Sequence, residues 1–226
     1  LPHAKQMLAD ADYCRTLAQA GDHRAPYALT IGTRFELGLS WLTPSLALLE
    51  QDQPERTIHL YMGDSPDLMA QIRSGGVDAA VTSARIHQSS LRYANLHPES
   101  YAFVGTFQTV RGPDDVSDLT LVDINPDLPL FRYLLDALPD GRPWPFERHQ
   151  YMGGIAAIRM RLLQGRGVAV LPRYFIREDL RSGRLRRFLP DVSLREDAFR
   201  LVWRDGHPRE PELIELAEEL RRLPLR

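Results

Sequence analysis

Strand-forming runs and amphipathic segments alternate along this chain, and the alternation runs twice. No other feature constrains the fold as much. Tyr27 to Thr33 (YALTIGT) is rich in β-formers and alternates in polarity, as a half-buried strand does. A helical segment follows, with Leu39, Leu42, Leu46 and Leu49 on one side at three- and four-residue steps. Pro44 lies within it. With Thr43 as cap, a proline suits the first turn of a helix; in a helix begun earlier it makes a kink. The helix boundary stays open between these two. Thr57 to Met62 (TIHLYM) is the next strand, and Ser65-Pro66 reads as an N-cap followed by proline at the first helical position. That helix runs to Ser74 and stops at Gly75-Gly76, before a third strand from Val77 to Thr82. Each connection has room for a crossover helix, the signature of a parallel α/β sheet. Residues 92–97 and 101–107 are further strand candidates.

The pattern then restarts. Leu119 to Ile124 is a strand, and Leu128 to Leu138 is helical with Phe131, Leu134, Leu135 and Leu138 inward. Phe146 to Gln150 is a short strand and Gly154 to Gln164 a helix carrying Ile155, Ile158 and Leu162. Gly167 to Leu171 (GVAVL) has the uninterrupted apolar character of a strand buried on both faces. A helix with Phe175, Ile176 and Leu180 stops at Gly183, then Ala198 to Trp203 forms a strand and Glu210 to Arg222 an amphipathic helix. Upstream, residues 1–22 read as one helix with a narrow stripe of Ala4, Met7, Ala11, Cys14 and Ala18. Two α/β lobes in series imply a ligand cleft between them.

Bulk properties remove several function classes. The 226 residues carry a net charge of −2, so nothing demands nucleic acid or an anionic membrane. No apolar run approaches the roughly 18 residues a membrane helix needs. The single cysteine, Cys14, excludes an internal disulfide and a multi-thiolate zinc cluster, and points to the cytoplasm. The seven histidines are scattered, and no nucleophile elbow, phosphate loop or HExxH motif is present. The expectation is therefore no catalytic residue, no metal and no cofactor. Residues 142–187 hold eleven arginines against three acids, but the chain has 27 Arg and one Lys. Compositional bias accounts for that stretch better than a DNA-contacting patch.

Ordered segments carry a family resemblance. Pro44, Pro54, the strand to Met62, Gly63-Asp64-Ser65, the helix to Ser74, Gly75 to Asp78 and the strand to Thr82 resemble the first lobe of LysR-type regulator effector domains. GGIAAIRMRLLQGRGVAVLP, residues 153–172, resembles the family's second-lobe helix, strand and closing proline, and FRLVWRDGHPREPELIELAEEL its return strand and last helix. The resemblance implies a two-lobe, periplasmic-binding-protein-like (type 2) α/β fold, each lobe a mostly parallel sheet flanked by helices. Residues 1–25 are then a linker helix and connection, 26–105 plus 196–226 lobe I, and 106–195 lobe II. It further implies a small-molecule effector, a homodimer or, in the full-length protein, a tetramer, no membrane contact, and DNA binding only through a helix-turn-helix domain preceding Leu1. The expected dimer is antiparallel, using the helix around Leu39 to Leu49 and that around Phe175 to Leu180. The same fold serves periplasmic solute-binding proteins, so a transport receptor is the alternative, with an enzyme behind it.

In open α/β sheets ligands bind beyond the carboxyl ends of the strands. That rule selects Thr33, Arg34, Ser65, Thr82 and Ser83 in the first lobe, and Asn125, Tyr151, Met152 and Gly153 in the second. Several sit at helix N-termini, where free N–H groups and the helix dipole favour an anion. An effector with an anionic group is expected, strengthened if Arg34 and Arg85 point inward. Each position also has a structural role open to it: Ser65 as a plain cap, Thr33 as a strand end, the arginines as solvated surface, Tyr151 and Met152 as lobe packing.

Overall fold

The structure is a computed structural model and describes residues 25–86, 88–106, 109–138 and 141–225. The linker-helix expectation for residues 1–22 lies outside these. Two five-stranded sheets form the scaffold. The first has order β2-β1-β3-β10-β4, from Arg56–Met62, Tyr27–Thr33, Ala79–Thr82, Asp197–Arg204 and Leu91–Glu99. The second has order β7-β6-β8-β5-β9, from Arg148–Tyr151, Thr120–Asp123, Val168–Pro172, Tyr101–Gly105 and Arg186–Arg187. Each is mixed. A parallel trio, β2-β1-β3 or β7-β6-β8, is extended by antiparallel strands where the chain crosses between lobes.

The crossing point corrects the expected lobe boundary. β5, assigned from sequence to lobe I, pairs along its whole length with β8, Tyr101 opposite Pro172 and Gly105 opposite Val168. The chain therefore leaves lobe I at Ser100 rather than at residue 105. A strand whose five residues are all buried fits equally well in either sheet, so periodicity could not choose between them.

Helices cover the sheets. In lobe I these are α1 (Phe35–Leu37), a π-helical turn (Gly38–Leu42), α2 (Thr43–Asp52), α3 (Ser65–Ser74) and α7 (Glu210–Arg222). In lobe II they are α4 (Arg132–Leu135), α5 (Ile155–Leu163) and α6 (Arg173–Arg181). The helix at Pro44 thus begins at Phe35. Proline has no N–H to offer the preceding turn, and the helix passes it through a π-turn in which the Thr43 N–H donates to the Gly38 carbonyl. The helix expected over Leu128 to Leu138 contracts to the four residues of α4 flanked by turns, because Asp123 captures the N–H groups of Leu130 and Phe131.

Lobe I buries α2 and α7 against one sheet face through Leu49, Leu213 and Leu216, and α3 against the other through Leu68 and Ile72. Lobe II closes over Phe103, Phe131, Ile158 and Val170. Tyr174 of α6 crosses from lobe II into the lobe I core, which fastens the lobes at one side. Gly75 ends α3 at φ 81, a left-handed position that suits glycine, and its N–H caps Gln71 and Ile72.

Candidate functional site

The carboxyl ends of the two parallel trios meet across the inter-lobe cleft. Glu36 of α1 in lobe I reaches the first turn of α5 in lobe II, where its Oε1 accepts from the Ala156 N–H at 3.4 Å. The lobe I edge holds Thr33, Thr82 and Ser83 side by side. Both threonines are completely buried. The Thr33 carbonyl accepts from Gly63 N–H at 3.0 Å, the Thr82 hydroxyl from Ala84 N–H at 3.1 Å, and the Ser83 carbonyl from Arg200 at 3.3 Å. Ser65 is the first residue of α3 and not its cap: Asp64 is, with its carboxylate accepting from Asp67 N–H at 2.8 Å. The cap residue stands three positions before the N–H it satisfies, which selects Asp64 over Ser65.

The lobe II edge is organised by a residue that sequence reasoning passed over. Asp123, at the end of β6, is fully buried and accepts from Ile124, Leu130 and Phe131 N–H at 2.6, 3.2 and 2.8 Å. Burial raises its pKa above the ordinary carboxylate range, and the three donors pull only partly back. A charged residue ending an otherwise apolar strand was the available signal, since buried carboxylates must be paired. Around it, Asn125 accepts from Asp127 N–H at 3.0 Å. Met152 and Gly153 donate their N–H groups to the Asp123 and Ile124 carbonyls, both at 3.0 Å. Tyr151 is exposed. The edge therefore brings Asn125, Tyr151, Met152 and Gly153 together, with two of their N–H groups already used.

Arg34, selected from sequence as an effector ligand, is engaged within the protein. Its Nη2 pairs with Glu99 at 2.8 Å, with the Glu99 side chain fully buried, and its guanidinium lies 5.5 Å from the Phe199 ring centroid. Burial works against the guanidinium charge, and the Glu99 carboxylate, through charge and hydrogen bond, more than restores it, leaving its pKa above the ordinary value. Burial and the same carboxylate push the Tyr101 and Tyr174 phenols up, so both stay protonated. Arg34 Nε, Glu99 Oε2 and Tyr174 Oη are buried without a hydrogen-bond partner. Glu99 ends β4 one residue before the chain crosses, so this ion pair sits at the hinge.

Beside the hinge lies a cavity of about 550 Å³ lined by Arg85 and Asp197 from lobe I and by Asp127, Pro129, Arg132, Tyr133, Asp136 and Arg195 from lobe II. Arg85 meets Asp197 only at 3.9 Å and is half exposed. Tyr133 stacks on Tyr101 with ring centroids 3.9 Å apart, and the Tyr101 hydroxyl donates to that of Tyr133 at 3.3 Å. The volume is within the range of small-molecule sites. Among the described residues, no group of three His, Cys, Asp or Glu is placed to hold a metal ion, and no helix is long and apolar enough to cross a membrane.

A family model described as the LysR substrate binding domain matches residues 24–224. The chain belongs to that family. No curated protein sequence matches it. This LysR substrate-binding domain is similar in structure to the regulatory domain of CrgA, a LysR-type transcriptional regulator from Neisseria meningitidis: TM-score 0.71 at 16% identity, covering 87% of this chain and 98% of that one. A full-length OxyR variant from Pseudomonas aeruginosa, with one cysteine replaced by aspartate, gives 0.72 at 22%, over 97% of this chain and 78% of that one. The regulatory domain of NMB2055 (MetR), a LysR family regulator from N. meningitidis, gives 0.63 at 16%, over 87% and 96%. At these identities the structures show a shared fold. With the family match, they identify a ligand-sensing domain of a LysR-type transcription factor and do not favour a transport receptor.

Proposed function

We propose that this domain senses a small effector bearing a carboxylate or similar anionic group, bound between the lobes at the Arg85–Arg132 cavity. The supporting observation is that arginines from both lobes line it, Arg85 from one side and Arg132 and Arg195 from the other, together with Tyr133. A carboxylate shared between Arg85 and Arg132 draws the lobes together through charge-assisted bonds. Asp127, Asp136 and Asp197 in the same lining favour an effector that also carries a donor group. Ser65, Ser83, Asn125, Tyr151, Met152 and Gly153 form the adjoining cleft edges, which meet the effector on closure. Thr33, Thr82 and Arg34 hold the walls and hinge in place.

The effector acts by preferring one lobe arrangement over another. The rearranged lobes reposition a helix-turn-helix domain in the full regulator, which makes the DNA contacts in the cytoplasm. The domain carries no catalysis of its own. It works as a homodimer. The lobe I helix expected for this, around Leu39 to Leu49, exposes Leu39 and Leu48 at 64% and 53%, while Leu42 and Leu49 are buried. The lobe II face expected around Phe175 to Leu180 is spent inward, with Ile176 fully buried and Phe175 and Leu180 packed on the core. Met160 of α5, 62% exposed, presents the apolar surface of lobe II instead.

A thermal-shift screen against carboxylic and aromatic acids tests the reading, because a ligand of the native state raises Tm by mass action. The expected result is an acid that stabilises the protein but not Arg85→Ala, with Ser65→Ala weakened less. Stabilisation by neutral compounds alone, or an acid response intact in Arg85→Ala, removes the anionic site.

A further inference from the structure

Lobe II has a second cavity, about 370 Å³, that the effector site does not use. Leu121, Leu128, Phe131, Leu135, Trp144 and Phe146 form its apolar wall, and the exposed Arg142 and His149 stand in the lining at its rim. Leu121 and Phe131, 1% and 2% exposed, belong to the lobe core. The rings are mutually braced, Phe131 standing edge-on to Trp144 at 5.6 Å and to Phe146 at 5.3 Å, and Trp144 lying nearly parallel to Phe146. Edge-to-face geometry of this kind favours the arrangement beyond its buried area. The cavity walls are therefore fixed before anything enters.

A second observation is independent of the volume. Leu128 has φ 51, a left-handed backbone that a bulky residue adopts only at a cost, and such strain collects at ligand clamps. The turn is held by Leu128 N–H to the Asn125 carbonyl and by the Asp123 carboxylate on Leu130 and Phe131. Its effect is to place an isobutyl group in the cavity wall. Leu135, at the other end of α4, is 40% exposed, so the cavity opens to solvent past it.

We infer that this cavity is a second small-molecule site, for an uncharged aromatic of two fused rings with one polar group to meet His149. Size and chemistry both argue for this. An apolar cavity of roughly 150 Å³ accepts a single benzene ring, and this one is more than twice as large with mostly apolar walls. Its position gives it consequence. Leu128, Phe131 and Leu135 line it from one side of the 127–136 segment, while Asp127, Arg132, Tyr133 and Asp136 of the same segment line the effector cavity. A ring bound on one side biases the wall of the other, and the coupling is reciprocal.

The probe is 2-naphthol, titrated by calorimetry and by quenching of protein fluorescence. Of the three tryptophans, only Trp144 lines the cavity. The expected result is saturable binding to the wild type, with quenching lost in Trp144→Phe and calorimetric affinity kept within about threefold. Leu135→Trp, which fills the cavity from its exposed side, is expected to weaken binding by at least about tenfold while Tm holds or rises. Absence of saturable binding to the wild type overturns the site. So does quenching that survives in Trp144→Phe, or binding to Leu135→Trp as tight as wild type.

Discussion

The two lobes finish their cleft-facing edges with an aspartate each, and the two aspartates do different work. In lobe I, exposed Asp64 accepts one N–H at the start of α3, a bond that water replaces at little cost. In lobe II, Asp123 is wholly buried and takes three N–H groups, two of them in the turn that leads into α4. One carboxylate trims a helix that its own apolar face already holds. The other substitutes for the hydrogen bonds that a longer helix would have made. In this turn the buried acid overrides the local helix propensity of Leu128 to Leu138.

The largest test of this contrast is Asp123→Ala, which leaves buried donors unpaired. We expect a loss of about 4 kcal/mol in urea unfolding; a loss no greater than that of Asp64→Ala erases the distinction. Asp123→Asn sharpens it through pH. The folded pKa lies above the unfolded value near 3.8, so the native state holds the proton more tightly. That contribution is complete below the unfolded pKa and fades as pH rises through the folded one. The stability of wild type relative to Asp123→Asn should therefore be highest on the acid side and decline as pH rises.

Next in size is the hinge pair. Arg34→Ala strands Glu99 without its counter-charge, and we expect about 3 kcal/mol lost. The Arg34→Met, Glu99→Leu double variant should recover most of this, and failure to do so would mean that the pair stabilises the hinge beyond cancelling its own burial. Asp64→Ala should cost about 1 kcal/mol, the value of an ordinary helix cap. Smallest is Glu36→Ala, whose contact with Ala156 N–H is long and exposed. Its Tm should stay within about 2 °C of wild type. Small-angle scattering of the same variant should show a more open cleft, and an unchanged profile would deny the contact any part in holding the lobes.

Much of the scaffold was readable because it is written in local punctuation. Gly75-Gly76, Gly183 and Pro172 mark element ends by backbone geometry alone, and GVAVL is apolar because both faces of β8 are covered. The candidate site was legible as positions and much less so as roles. The rule of carboxyl ends selects Thr33 and Thr82, yet their hydroxyls lie buried in the lobe wall, since the side chain that points inward from the last strand residue joins the core. Arg34 looked like a free guanidinium because Glu99, 65 residues away, leaves no local trace.

By itself, then, the sequence determined two α/β units in series, the order of their elements and the cleft that must lie between them, since period, glycine and proline act within a few residues. Only the tertiary structure decided which sheet received Tyr101–Gly105, which acid capped which turn, and which arginines faced the cleft. Those outcomes depend on burial and charge pairing between residues far apart in the chain, and a linear pattern does not encode such distances.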